Sequence, residues 1–269
     1  MEYFKSDLRS KGLSEESIKT YTRLALEFTS WLAEQCEEVK ACTYNTIVSY
    51  TEDCRDKGWS QSTIQLHTEA IRKYLDYIGL DPNPARLQLR PRERQIPHHL
   101  LTEEQLKMIY NSYPVRHLRN KVVLGLIVFQ ALRRKEIHQL KVESINLETG
   151  QVHIEGSRKA NGRTLSLEAV QLLPLQSYLQ NYETEELFPL AHIHYAQYYL
   201  IKQLKRLYPQ LLNCRQLRAS VITNWLRQYN LRQVQYMAGH RYVSSTERYE
   251  RSHLEDLQRD LDEYHPNNG

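Results

Sequence analysis

Apolar positions in the first eighty residues recur at helical spacing. Leu13, Ile18, Tyr21, Leu24, Ala25, Phe28, Trp31 and Leu32 fall on one helix face. Ser14 stands where an N-cap belongs, and Leu13 and Ile18 occupy the N′ and N4 sites of a hydrophobic staple. A second stripe, Ile64, His67, Ile71, Leu75 and Ile78, predicts a helix after Trp59 and Ser60, with room for a shorter one over 43–57. Residues 81–100 break the rhythm: their four prolines disfavour helix and mark a linker. Thr102-Glu103-Glu104-Gln105 has the form of a capping box and opens a second region. There, residues 121–132 (KVVLGLIVFQAL) predict a helix buried on nearly all sides. The period then shortens. Residues 144–147 and 151–154 read as strands joined by Glu148-Thr149-Gly150, and 163–167 as a third. Helical patterning returns from about Leu172 to Tyr264. The prediction is a mainly α chain: a helical domain over 1–80, a linker over 81–100, and a mostly helical domain over 101–269 with a small three-stranded antiparallel β-sheet.

Composition narrows the class. With 269 residues, 41% hydrophobic, 25% charged and only nine Gly and nine Pro, the chain is an ordered globular protein, not a collagen-like or low-complexity one. No stretch approaches the ~18 apolar residues of a membrane span, and MEYFKSDLRS is not an export leader. Cys36, Cys42, Cys54 and Cys214 have neither zinc spacing nor the density of a disulfide framework. The expectation is a cytoplasmic protein with reduced thiols and no membrane partner. The net charge of +4 divides into −3 over 1–80, +2 over 81–100 and +5 over 101–269. That distribution permits nucleic-acid binding without demanding it. The linker's Arg86, Arg90, Arg92 and Arg94 suit a phosphate backbone, and suit a solvated spacer equally.

Glycine-rich phosphate loops, HExxH, paired CxxC and GxSxG are all absent from the sequence. What stands out is a set of cations around one histidine and one tyrosine. Arg133, Arg134 and Lys135 close the apolar helix, where cations favour the macrodipole. Arg158, Lys159 and Arg163 lie on the predicted hairpin turn, a place that is usually just solvated. Arg215 and Arg218 are three apart on one helix face. His240 follows a glycine, nine residues before Tyr249. Each segment alone has a plain structural reading.

Taken together and in order, the four segments resemble the tyrosine recombinase (phage integrase-like) family. ALRRKE is similar to that family's G-L-R-x-x-E, with Arg133 at its first catalytic arginine and Glu136 at its structural acid. SRKANGRTLSL is similar to its β-hairpin, which carries a catalytic lysine and a trailing R-x-x-P-L. Lys159 and Arg158 compete for the lysine position, and Lys159 is preferred because a lysine can release a proton at accessible pH. RQLRASVITNWL resembles the H-x-L-R-H helix, with Arg218 as second catalytic arginine. LRQVQYMAGHRYVSSTERY resembles L-x-x-V-Q-x-x-L-G-H…T-x-x-Y, with His240 and the nucleophile Tyr249. Gly12–Tyr21 resembles the start of the family's N-terminal core-binding (SAM-like) domain. Two positions depart from the pattern: Arg215 stands where the family has histidine, and Ser166 where it has proline.

The resemblance implies a site-specific recombinase or integrase that cleaves and rejoins DNA through a 3′-phosphotyrosine. It implies no ATP, cofactor or metal, since arginines supply the positive charge. Its partners would be a double-stranded target site and three further copies, in a homotetramer on two synapsed duplexes or a heteromer with a paralogous recombinase. Arg86, Arg90, Arg92, Arg94, Arg158 and Arg163 are the candidate DNA contacts. Leu254, Leu257 and Leu261 form a thin stripe that suits docking on a neighbour or on the chain's own core. The competing readings are a type IB topoisomerase-like relaxation and a non-catalytic DNA-binding protein derived from a recombinase. The latter is favoured by Arg215, which cannot accept the phenol proton as a histidine can.

Overall fold

The computed structural model describes residues 1–86, 96–97, 99–158, 160–180 and 187–250. The chain divides into two compact units, Met1–Arg94 and Gln95–Gly269.

The first unit is helical: α1 (Glu2–Ser10), α2 (Glu15–Glu34), α3 (Tyr44–Asp56) and α4 (Gln61–Tyr77). Ser14 caps α2 by accepting from the Ser17 N–H, and Ser60 caps α4 by accepting from that of Thr63. Helix α1 was not foreseen from the pattern; its Phe4 and Leu8, one turn apart, are buried against Ile18 and Ala25. The larger cluster gathers Phe28, Leu32, Ile47, Tyr50, Ile64, Ile71 and Leu75. Inside it, the Tyr50 hydroxyl meets His67 Nδ1 at 2.9 Å, which satisfies a polar member of the stripe.

The second unit contains α5 (Glu103–Ser112), α6 (Leu118–Val128), α7 (Arg134–Gln139), β1 (Ile145–Asn146), β2 (Gln151–Ile154), β3 (Arg163–Ser166), α8 (Ala169–Gln180), α9 (Leu190–Leu207), α10 (Cys214–Gln228) and α11 (Leu231–Met237). Residues 244–250 are helical as well. The capping box at Thr102 forms, with Gln105 reaching back. The strands make the antiparallel sheet β1-β2-β3, with Val152 opposite both Ile145 and Leu165.

Helix α6 is the apolar one, and residues Lys121 through Val128 are all buried. Among the described residues, Lys121 has no ion-pair partner. Its ammonium donates to the carbonyls of Tyr110 and Tyr113 and sits 4.0 Å over the Tyr110 ring, so it caps the end of α5. Helix α6 stops earlier than its apolar run predicts. Ala131 takes the left-handed conformation (φ +50°), which usually falls to glycine, and the Leu132 N–H bonds back to the Leu126 carbonyl. The chain therefore turns immediately before Arg133.

Helix α10 is buried nearly all round, Gln216 through Asn224. Its polar side chains Gln216, Ser220 and Asn224, spaced by four, grip the backbone of the incoming segment. Gln216 Nε2 donates to the His99 carbonyl (2.8 Å), Ser220 Oγ accepts from the Leu101 N–H (2.9 Å), and Asn224 Nδ2 donates to the Leu101 carbonyl (3.0 Å).

Candidate active site

Arg133 is the N-cap of α7, not the end of α6, so the macrodipole reading of this cation is overturned: it sits at the positive end of a helix. What holds it there is Glu136 at the N3 position. One carboxylate oxygen accepts from the Arg133 backbone N–H (2.8 Å) and the other from its Nη1 (2.8 Å). The outward part of the Arg133 side chain remains about one-third exposed, at 35%.

Arg163 departs most from expectation. It was expected on a solvated turn, contacting DNA; instead it opens β3 with its side chain fully buried. Its guanidinium forks onto the same carboxylate, at 3.0 and 3.1 Å. It is a structural partner of Glu136 and presents nothing to solvent. Gly239 makes the space. It sits at φ +61°, and a Cβ there would lie 2.7 Å from Arg163 Cζ and closer still to Nη1.

Arg218 completes the group from α10. Its Nη1 is 3.9 Å from Glu136, and its Nη2 donates to the Ala238 carbonyl at 2.8 Å. Nη1 is buried without a hydrogen-bond partner among the described residues. Three guanidiniums thus share one carboxylate. Burial by itself would raise the Glu136 pKa, but the hydrogen bonds and charge of Arg163, then Arg133 and Arg218, hold it down at about 2. Burial, then the charge of Arg133, lowers Arg218 to about 9, which still leaves it a cation at neutral pH.

His240 lies against this cluster, its Nε2 at 3.5 Å from Arg218 Nη2 and its Nδ1 at 2.9 Å from the hydroxyl of fully buried Thr246. Its ring stacks on that of half-buried Tyr249, 5.8 Å apart and 17° from parallel. Burial first, then the charges of Arg218, Arg133 and Arg163, depress the His240 pKa to about 3. The imidazole of the DNA-free protein is therefore neutral at physiological pH. Because the folded value lies below the unfolded one, stability from neutral His240 is complete above ~6.5 and drains away as pH falls toward about 3. An NMR titration of the DNA-free protein from about pH 8 to 5 should leave the His240 ring signals unmoved. A midpoint near ~6.5 would mean that the ring is solvated and the cluster open.

The structure thus brings Arg133, Arg218, His240 and Tyr249 together around Glu136. Arg215 stands on the first turn of α10, exposed, three residues before buried Arg218. Arg158 is exposed on the hairpin turn, and exposed Arg86 lies 3.7 Å from Asp76. Lys159, Arg90, Arg92, Arg94 and the stripe Leu254, Leu257 and Leu261 lie outside the described residues. Sequence reasoning missed the burial of Arg163, the role of Thr246 and the reason for Gly239. A glycine beside the histidine was the one available signal.

Comparison with known proteins follows the same lines. Residues 99–255 match the Phage integrase family, and residues 1–78 match the Phage integrase N-terminal SAM-like domain. The chain is 25% identical over 261 residues to the tyrosine recombinase XerA of Pyrococcus furiosus, covering 93% of this chain and 88% of that one. It is 26% identical over 265 residues to XerD of Halalkalibacterium halodurans, covering 89% and 88%. Among solved structures, its fold is similar to a Tn1549 transposon integrase in complex with transposon right end DNA (TM-score 0.71, 15% identity, 95% and 97% covered). It is also similar to the XerH site-specific recombinase bound to difH substrate (TM-score 0.69, 20% identity, 94% and 83% covered).

Proposed function

Since this chain belongs to the phage integrase family, and is by that membership a tyrosine recombinase that breaks and rejoins DNA, we propose that Tyr249 is its nucleophile and the cluster around Glu136 its phosphate clamp. The observation that carries this is the charge balance of the site: three arginines face a single buried carboxylate, and Arg218 Nη1 has no acceptor among the described residues. Such a cluster is completed by an anion. A scissile phosphate accepts from the free edges of Arg133 and Arg218 and from His240 Nε2, and these donors strengthen as charge develops on the non-bridging oxygens.

Tyr249 attacks phosphorus in line. Its phenol loses its proton to water as the surrounding cations favour the phenolate. The P–O5′ bond breaks, leaving a 3′-phosphotyrosine, and Lys159 protonates the departing 5′-oxygen. The bond energy stays in the phosphotyrosine, so rejoining needs no ATP. Exposed Arg215 contributes a hydrogen bond and a positive charge from the α10 N-terminus. Arg86, Arg90, Arg92 and Arg94, with Arg158, contact the duplex backbone, from a linker over 81–100 between domains at 1–80 and 101–269. Arg163 is not among these contacts. The active assembly is a tetramer on two synapsed duplexes, of this chain alone or with a paralogue, in the cytoplasm and in the service of a mobile element.

The test is a nicked suicide duplex bearing a site that the protein has itself selected from a random-sequence pool. A denaturation-resistant protein–DNA adduct on the Tyr249 peptide is expected. Tight binding with no adduct would make the chain a DNA-binding protein without catalysis. On the same duplex, Arg215→Ala should cleave about 10²–10³-fold more slowly at nearly unchanged affinity. Arg215→His should cleave with a pH dependence near ~6.5 that the wild type lacks. Equal rates for wild type and Arg215→Ala would remove Arg215 from the site.

A further inference from the structure

The tip of the β2–β3 hairpin has little core to hold it. Ser157 and Ala160 close a small loop on each other (Ser157 N–H to Ala160 carbonyl, 2.7 Å). Its stem crosses at Gly156 and Gly162, so close that a Cβ on Gly156 would lie 3.0 Å from the Gly162 nitrogen. Residues 155–158, 161 and 162 are exposed. Three ties run from this turn to the segment His240–Arg241. On one side of position 159, Arg241 Nη1 donates 2.8 Å to the Arg158 carbonyl. On the other, Ala160 forms an antiparallel bridge with His240, and Asn161 Nδ2 donates 3.4 Å to the His240 carbonyl. Gln235 of α11 holds that segment in turn, donating to the carbonyls of His240 (3.2 Å) and Arg241 (3.5 Å). Arg241 also rests 5.9 Å over the ring of Tyr242, which narrows its range of rotamers.

We propose that Arg241 is a positioning residue for strand cleavage: it clamps the hairpin turn carrying position 159 onto the histidine segment, so that the proton donor meets the departing 5′-oxygen. The proposal rests on the reading of Lys159 as that donor. A lysine ammonium rides on a flexible four-carbon stem, and proton transfer needs it within hydrogen-bond reach of the oxygen it protonates. Ala160 is the one buried apolar side chain among the described residues of the tip, so polar ties such as these help to fix the turn's placement. Because the same ties end at His240, the residues on either side of position 159 and the phosphate-binding histidine are set in one frame.

The chemistry supplies the test. In cleavage the Tyr249 oxygen bonds to phosphorus, the P–O5′ bond breaks, and the 5′-oxygen takes its proton from Lys159. Replacing that bridging oxygen with sulfur gives a thiolate leaving group, which departs without a proton because thiols ionise near ~8.5. Full-length wild type, Arg241→Ala and Lys159→Ala are compared on the selected nicked duplex with 5′-bridging oxygen and with 5′-bridging sulfur. With oxygen, Lys159→Ala should be slower by about 10²–10⁴-fold and Arg241→Ala by about 10–10²-fold. With sulfur, both should return to within about threefold of wild type, and DNA affinity and its salt slope should be unchanged in Arg241→Ala.

Wild-type speed of Arg241→Ala on oxygen overturns the proposal. So does a defect that persists on sulfur while Lys159→Ala is rescued, or a salt slope lowered by about one charge, which would make Arg241 a phosphate contact. If Lys159→Ala itself is not rescued, the assignment of the proton donor fails, and the proposal falls with it.

Discussion

Glu136→Gln is expected to cost this protein more than loss of its nucleophile. Tyr249→Phe removes one hydroxyl from a half-buried ring and should leave stability within about 1 kcal/mol of wild type while abolishing the adduct. Glu136→Gln keeps the shape and removes the charge on which Arg133, Arg163 and Arg218 converge. The new amide also turns N–H donors toward guanidinium donors. Breaking a buried ion pair on one side costs about 3–5 kcal/mol, because the remaining charge stays buried and uncompensated. For a chain of this size that is a Tm drop on the order of 10 °C. Cleavage should fall by at least about 10²-fold, since Glu136 fixes both the backbone and the fork of Arg133. Acid adds a second signature. The Glu136 pKa of about 2 lies below the unfolded carboxylate value of ~4.3, so its stabilisation is complete above ~4.3 and lost as pH falls through about 2. The Gln variant lacks that part of the acid limb. Thermal melts at neutral pH and a denaturation series between about pH 5 and 2 measure both effects. A variant melting within a degree or two of wild type would show that the carboxylate does not hold the three cations.

Gly239→Ala is expected to be nearly as damaging, although it adds a single methyl. At φ +61° an alanine carries the left-handed penalty of about 1 kcal/mol. Its Cβ would also enter the Arg163 guanidinium, 2.7 Å from Cζ and 3.3 Å from Nε. Arg163 must then leave Glu136, bringing the total to roughly 3 kcal/mol or more. Gly150 is the internal control, with the same φ of +61° and nothing within 4 Å of the added Cβ. Gly150→Ala should pay the backbone penalty alone, about 1 kcal/mol. The two variants, with Arg163→Ala and the double variant, form a cycle in which Gly239→Ala and Arg163→Ala are far from additive. Equal losses at Gly239 and Gly150 would mean that Arg163 moves aside freely.

Much of this was readable from local pattern. Ser14 caps the helix that the pattern gives it, and α4 starts directly after Ser60 as the stripe predicts, because an N-cap is a short-range device. The three strands appear within a residue or two of their predicted limits, since alternation and turn residues are local too. Arg133, Arg218, His240 and Tyr249 were legible only by their order along the chain. Nothing in composition says that residues 133 and 249 share a site. Arg163 shows where local reasoning stops: an arginine after Asn161-Gly162 looks the same whether it faces solvent or a buried carboxylate 27 positions earlier. Lys121 was hidden similarly, its partners being main-chain carbonyls that any sequence possesses. Helix α1 carries too few apolar positions to announce a stripe, although Phe4 and Leu8 are wholly buried.

The grip of α10 on residues 99–101 has a mechanical meaning. Gln216, Ser220 and Asn224 fasten the start of the second unit along two turns of the helix that also holds Arg218. Tension arriving from the upstream chain would load these three bonds as it entered the unit. The tether is moored to the same beam as the arginine, so strain on the tether is strain on the clamp.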